Sequence, residues 1–195
     1  MRTGRNLYTL GEAYTALYNG FRSVRHFSKA RKSGLVTEQF QERLTLAVTE
    51  VNNCPMCTYG HTKMALQAGL SADEIRAILL GQMEATPADE LPGVMFAQHY
   101  AEERGKPSKE AWKSIISRYG EPKAKGVLGA IRMITIGNTY GIPLGSFLNR
   151  FRPNAKPDTR SSLGYETGLY LITILYIPMA LIHTVIARLF RLPLV

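Results

Sequence analysis

Apolar residues recur at helical spacing along most of this chain, and no stretch alternates with period two over a useful length. Leu10, Ala13, Ala16, Leu17 and Phe21, then Val24 and Phe27, predict a long first helix over residues 7 to about 32, ending near Ser33-Gly34. Val36, Phe40, Leu44, Ala47, Val48 and Val51 form a one-sided stripe, so residues 39–52 read as a second helix. Asn52-Asn53 is its natural stop, because Asn tolerates the left-handed cap conformation. Pro55 can open a third helix that runs through Ala68 to Gly69, since proline lacks only the N–H that a first turn leaves unpaired.

Ser71-Ala72-Asp73-Glu74 has the capping-box form and starts a fourth helix, about 72–83. Thr86-Pro87 and Leu91-Pro92-Gly93 then break the pattern before a fifth helix over 94–104. Ser108 is the N-cap expected for a sixth, 109–119, and Gly120-Glu121-Pro122 restarts the chain into a longer apolar helix over 123–139. The glycine-rich run 137–145 has neither dinucleotide spacing nor a preceding strand, so it reads as a helix break before a short helix at 146–150. The fold class is all-α.

The remainder has a different character. Residues 151–162 are polar, contain Pro153 and Pro157, and read as a linker, whereas 167–187 carry no charged residue. As a helix that apolar stretch would be roughly 30 Å long, enough for a bilayer core. It is therefore either a membrane anchor, flanked by Arg160, Arg188 and Arg191, or a helix buried in an oligomer interface. Positive residues are denser before it than after it, so a spanning segment would leave the rest of the chain cytoplasmic.

At 195 residues one domain with a sizeable core is expected, with or without an appendage. The net charge of +9 comes largely from Arg2, Arg5, Arg22, Arg25, Lys29, Arg31 and Lys32, then Arg150, Arg152, Lys156 and Arg160. No zinc-finger spacing, aromatic RNP run or helix-turn-helix accompanies them, so no nucleic-acid partner is expected and an anionic membrane surface or a solvated face ranks ahead. Two cysteines cannot make a secreted disulfide framework, and the N-terminus lacks the apolar run of a signal peptide. A reducing, cytoplasmic compartment is the expectation, and there a C-x-x-C is catalytic or metal-binding more often than structural.

Both cysteines stand in Cys54-Pro55-Met56-Cys57, with His61 four residues further on. At a helix start, unpaired N–H groups and the macrodipole favour a thiolate, and on a helix His61 shares a face with Cys57. Sulfurs three residues apart can also meet in a short-loop disulfide. A zinc site, with His99 or Glu42 completing the ligands, is the alternative that the residues leave open.

Glu42, the cysteine pair and His61 reproduce a Glu-x(11)-Cys-x-x-Cys-x-x-x-His pattern that resembles the alkylhydroperoxidase AhpD-like group of the carboxymuconolactone decarboxylase superfamily. Leu44-Thr45-Leu46-Ala47-Val48 and Val51-Asn52-Asn53 are similar to that group's lead-in; the likeness covers 36–83 well and 123–148 more loosely. Pro55-Met56 departs from the histidine-containing pair of the best-known member. The resemblance implies a helical redox domain over 1–150, followed by the linker, 151–166, and the apolar helix, 167–195. It implies a thiol-dependent peroxidase or disulfide oxidoreductase without a bound cofactor, in which Cys57 is the peroxidatic thiol, Cys54 the resolving one that meets the reductant, and His61 with Glu42 the proton relay. The implied partners are a hydroperoxide or disulfide substrate, a thioredoxin-like or lipoyl dithiol reductant, and further copies of the chain in a homo-oligomer. A decarboxylase-type lyase on the same scaffold and a zinc-stabilised interaction protein are the alternatives.

The helical geometry fits the relay: in a hairpin pivoting at Asn53, Glu42 is roughly 16 Å back along one axis and His61 roughly 12 Å along the other. Glu42 stands off the stripe of Phe40, Leu44 and Val48, which leaves it free for a role other than apolar packing.

Overall fold

The computed structural model describes residues 6–195; Arg2 and Arg5 of the front basic cluster lie outside them. Among the described residues there are seven helices and no strand, as the periodicity requires: α1 Leu10–Lys32, α2 Glu38–Asn52, α3 Pro55–Gln67, α4 Ala72–Leu79, α5 Leu91–Glu102, α6 Lys109–Asn149 and α7 Leu163–Leu189. Local chemistry sets most of the starts. Thr9 and Glu12 close a capping box on α1, and Thr37, Ser71, Ser108 and Ser162 each accept a backbone N–H at the start of the helix that follows.

α2 is the centre of the molecule. Its stripe is not one-sided: Phe40, Leu44, Leu46, Ala47 and Val48 are buried, and so are Glu42, Arg43, Thr45 and Thr49, because α3, α4, α5 and α6 all pack around it. Glu42 is thus inside the packing. A buried charge must be paired, and Arg43 shows how: its guanidinium donates to Glu74 at 2.6 Å and Glu90 at 2.8 Å, clipping α4 and the entry to α5 onto α2.

α1 and α6 lie close together along a seam of small residues. A Cβ on Gly129 would stand 2.7 Å from the Phe27 Cβ, and one on Gly126 would collide with the Ala30 Cβ. The kink expected at Gly120 is present, with φ 71° and ψ 157° inside α6. The break expected over 137–145 is not: α6 continues through Gly137, Gly141, Pro143 and Gly145 to Asn149, and the separate helix at 146–150 is its last turn. Glycine costs about 1 kcal/mol in a helix interior, and packing against α2 and α3 outweighs it.

Two further differences concern length and linkage. α4 stops at Leu79, four residues short of the periodic pattern, with Gly81 in the left-handed region at φ 78°. The polar 151–162 stretch is tied down: the Asp158 N–H donates to Ser146 Oγ, and the Arg160 guanidinium donates to the carbonyls of Asn52 and Asn53. Those are the last carbonyls of α2, immediately before Cys54.

α7 lies against α1 and α6 and is fastened at both ends. At its start Tyr165 OH donates to the Tyr8 carbonyl and Arg150 pairs with the buried Glu166. Just past its end Arg22 donates to the carbonyls of Leu192 and Pro193, and Arg132 to that of Leu194.

Candidate active site

Four local features converge on the α2–α3 turn. Asn53 ends α2 in the left-handed conformation, φ 51° and ψ 60°, as its side chain permits. Cys54 follows as the N-cap of α3, Pro55 occupies its first position, and Cys57 lies in its first turn. The two cysteines are joined as a disulfide with Cα atoms 5.3 Å apart. The Cys57 N–H donates to Cys54 Sγ at 3.3 Å, so Cys54 sulfur sits where the helix N-terminus favours a negative charge.

Both sulfurs are inside the protein, Cys54 wholly and Cys57 with 9% of its surface left, while Pro55 and Met56 between them are exposed. Cys57 Sγ lies 3.6 Å from the carbonyl oxygen of Gly137 on α6, to which a reduced thiol would donate.

His61 and Glu42 meet directly across the hairpin, with His61 Nδ1 2.9 Å from Glu42 Oε2. Gln41 Nε2 donates to the other carboxyl oxygen at 3.1 Å. Holding Nδ1 on a buried carboxyl leaves Nε2 as the free nitrogen of the ring. The sequence spacing anticipated this meeting; the burial of Glu42 it did not.

Other polar residues have partners of their own. His99 Nε2 accepts from the Ser108 N–H, and His183 contacts the Tyr14 hydroxyl at 2.5 Å. Among the described residues no group of three or more His, Cys, Asp and Glu is arranged to hold a metal ion. Asn138, fully buried, donates to Thr49 Oγ1, and Tyr140 OH donates to the Ala13 carbonyl.

Gly141 is the residue that the sequence reading passed over. A Cβ there would lie 3.1 Å from Cys57 Sγ and 3.4 Å from Cys54 Sγ, closer than ordinary van der Waals contact, so a side chain would press on both sulfurs where α6 crosses the disulfide. Gly141 also lines a cavity of about 460 Å³ with Met56, Tyr59, Ile142, Gly145 and Leu148. Gly141 thus touches both the cavity and the two sulfurs. The four-residue repeat Gly137, Gly141, Gly145 was the available signal, since it marks one face of a helix as readily as a break. Gly141→Ala is expected to slow oxidation and reduction of the pair at least about tenfold by crowding the approach, followed as the rate of thiol loss on mixing with an organic hydroperoxide; an unchanged rate would show that reagents reach the sulfurs another way.

An all-helical protein with a C-x-x-C disulfide at a helix N-terminus, and with a partly exposed histidine paired to a buried glutamate on the adjoining hairpin, carries the parts on which thiol–disulfide chemistry depends. Residues 15–103, the stretch from α1 to α5 with all four candidate residues, match the model of the Carboxymuconolactone decarboxylase family, which covers AhpD-like proteins. The match fits an AhpD-like or a decarboxylase-type activity. No curated protein and no solved structure matches the chain.

Proposed function

We propose that the protein is a dithiol-dependent hydroperoxide reductase of the AhpD-like kind, working through the Cys54–Cys57 couple. The observation that carries this reading is the disulfide itself, at a helix N-terminus and against Gly141, which also lines the neighbouring cavity. Decarboxylation has no use for a reversible dithiol.

In the reduced state His61, one turn along α3 from Cys57, takes the Cys57 proton. The thiolate attacks the terminal oxygen of a hydroperoxide, the O–O bond breaks, and the alkoxide recovers a proton to leave as the alcohol. Cys57 is then a sulfenic acid. Cys54, its thiolate favoured by the α3 N-terminus and the Cys57 N–H, attacks that sulfur; the disulfide forms and water leaves. A dithiol of the thioredoxin or lipoyl type restores both thiols by exchange and is itself oxidised to a disulfide. Glu42 holds the imidazole in place throughout.

One titration tests this. Fully reduced protein mixed with one equivalent of cumene hydroperoxide should lose both thiols, and excess dihydrolipoamide should return them. Thiols that survive the hydroperoxide would sink the peroxidase reading; thiols oxidised by a disulfide reagent but not by a peroxide would leave a disulfide oxidoreductase.

A further inference from the structure

We propose that the outer face of α7 docks on an anionic lipid bilayer, with the helix lying flat in the plane of the interface. The proposal stands apart from the thiol chemistry.

α7 has two faces of different kinds. Glu166, Leu169, Ala180, Thr184 and Ala187 face the protein and are buried. On the other side Leu171, Ile174, Leu175, Leu181, Ile182 and Val185 are each about half exposed or more. An 18-residue window of the helix has mean hydropathy 2.0 and is only 17% buried. The largest apolar patch on an ordinary monomer is ~300–600 Å², and here the row of exposed aliphatic side chains runs the length of the helix. Something must cover it.

Three occupants are compatible with that size, and two conflict with the surroundings. A bilayer crossing would require one end of α7 to leave the domain, yet the ends, roughly 40 Å apart, are both bonded to it, at Tyr8 and Arg150 on one side and Arg22 and Arg132 on the other. A second copy would meet like charge in either orientation. Exposed Arg152 and Lys156 lie on the segment that leads into α7, and Arg188 and Arg191 at its end. A parallel two-fold pair would set Arg188 and Arg191 against their own copies; an antiparallel pair would set them against Arg152 and Lys156.

An anionic bilayer complements both ends. Next to these cations are the most exposed aromatic rings of the region, Phe151 at 72% and Phe190 at 74%, the side chains that settle at a headgroup boundary. Beside the C-terminal end a cavity of about 370 Å³ is lined by Arg22, Arg25, His26, Lys125, Arg188 and Arg191, with Glu121, paired to Lys125, as the acid among them. Burial, and then the charges of Arg25, Lys125 and Arg188, hold His26 below its ordinary pKa, as expected where positive potential is concentrated. The acids nearer the start of α7 are engaged: Glu166 by Arg150 and Asp158 by Arg160.

The test is co-sedimentation of the full chain with vesicles of phosphatidylcholine alone and of phosphatidylcholine mixed with phosphatidylserine. Binding should require phosphatidylserine, weaken with salt, and fall about thirtyfold in Arg152→Gln/Arg191→Gln, about fivefold for each charge. Leu175→Asp should abolish it, with helical circular dichroism and thiol titre retained, since that side chain faces away from the core. Absence of vesicle binding would overturn the proposal, as would a dimer in solution that Leu175→Asp dissociates. Binding indifferent to lipid charge and resistant to alkaline extraction would overturn it in favour of a span.

Discussion

Serine at Cys54 or at Cys57 is expected to reduce dithiol-dependent hydroperoxide turnover by at least about 10³-fold, because a hydroxyl is a far weaker nucleophile than a thiolate and cannot enter a disulfide. The two variants should fail differently. Cys57→Ser lacks the attacking sulfur, so the remaining Cys54 thiol should survive one equivalent of hydroperoxide. Cys54→Ser should react once and stop at a Cys57 sulfenic acid, which a 1,3-dione traps and mass spectrometry locates. If Cys54 is instead the sulfur that is trapped, the roles are exchanged. Because both sites are buried, each hydroxyl carries a cost of about 1–3 kcal/mol where it finds no partner, so circular dichroism must accompany the rates. Hydroperoxide turnover retained in both variants would show that the cysteine pair is not the catalyst.

His61→Gln is expected to lower the rate of thiol oxidation by about 10²- to 10⁴-fold, the range for loss of a positioned proton carrier. Glutamine is the informative replacement. It can still donate to the buried Glu42, whereas alanine would leave that carboxyl with Gln41 as its one bonding partner and cost stability as well as chemistry. Glu42→Gln should cost less, about tenfold to a hundredfold, since Glu42 acts by holding the ring. The double variant should be no slower than His61→Gln alone. That lack of additivity separates a positioning carboxylate from a merely structural one, whose loss would add to the loss of His61.

Helix class, the starts at Ser71 and Ser108, the left-handed stop at Asn53 and the opening of α3 at Pro55 were all legible because each is satisfied within four residues of itself. The same holds for the motif. A spacing of three brings Cys54 and Cys57 together on one turn, and a hairpin pivot between two helices carries Glu42 to His61. Chain geometry alone supplies these, whatever the rest of the molecule does.

What the chain could not disclose depended on packing between segments distant in sequence. Glycine at 137, 141 and 145 lowers helix propensity in any local accounting, and only the approach of α6 to the disulfide shows that a side chain at 141 would crowd the sulfurs. Glu42 looked separate from the apolar stripe because a stripe describes one face, whereas α2 is surrounded. α7 was the least decidable. Its residues are apolar on both sides, so periodicity does not separate an inner from an outer face; the tertiary bonds at its two ends do that, leaving one face within the protein and the other without a cover.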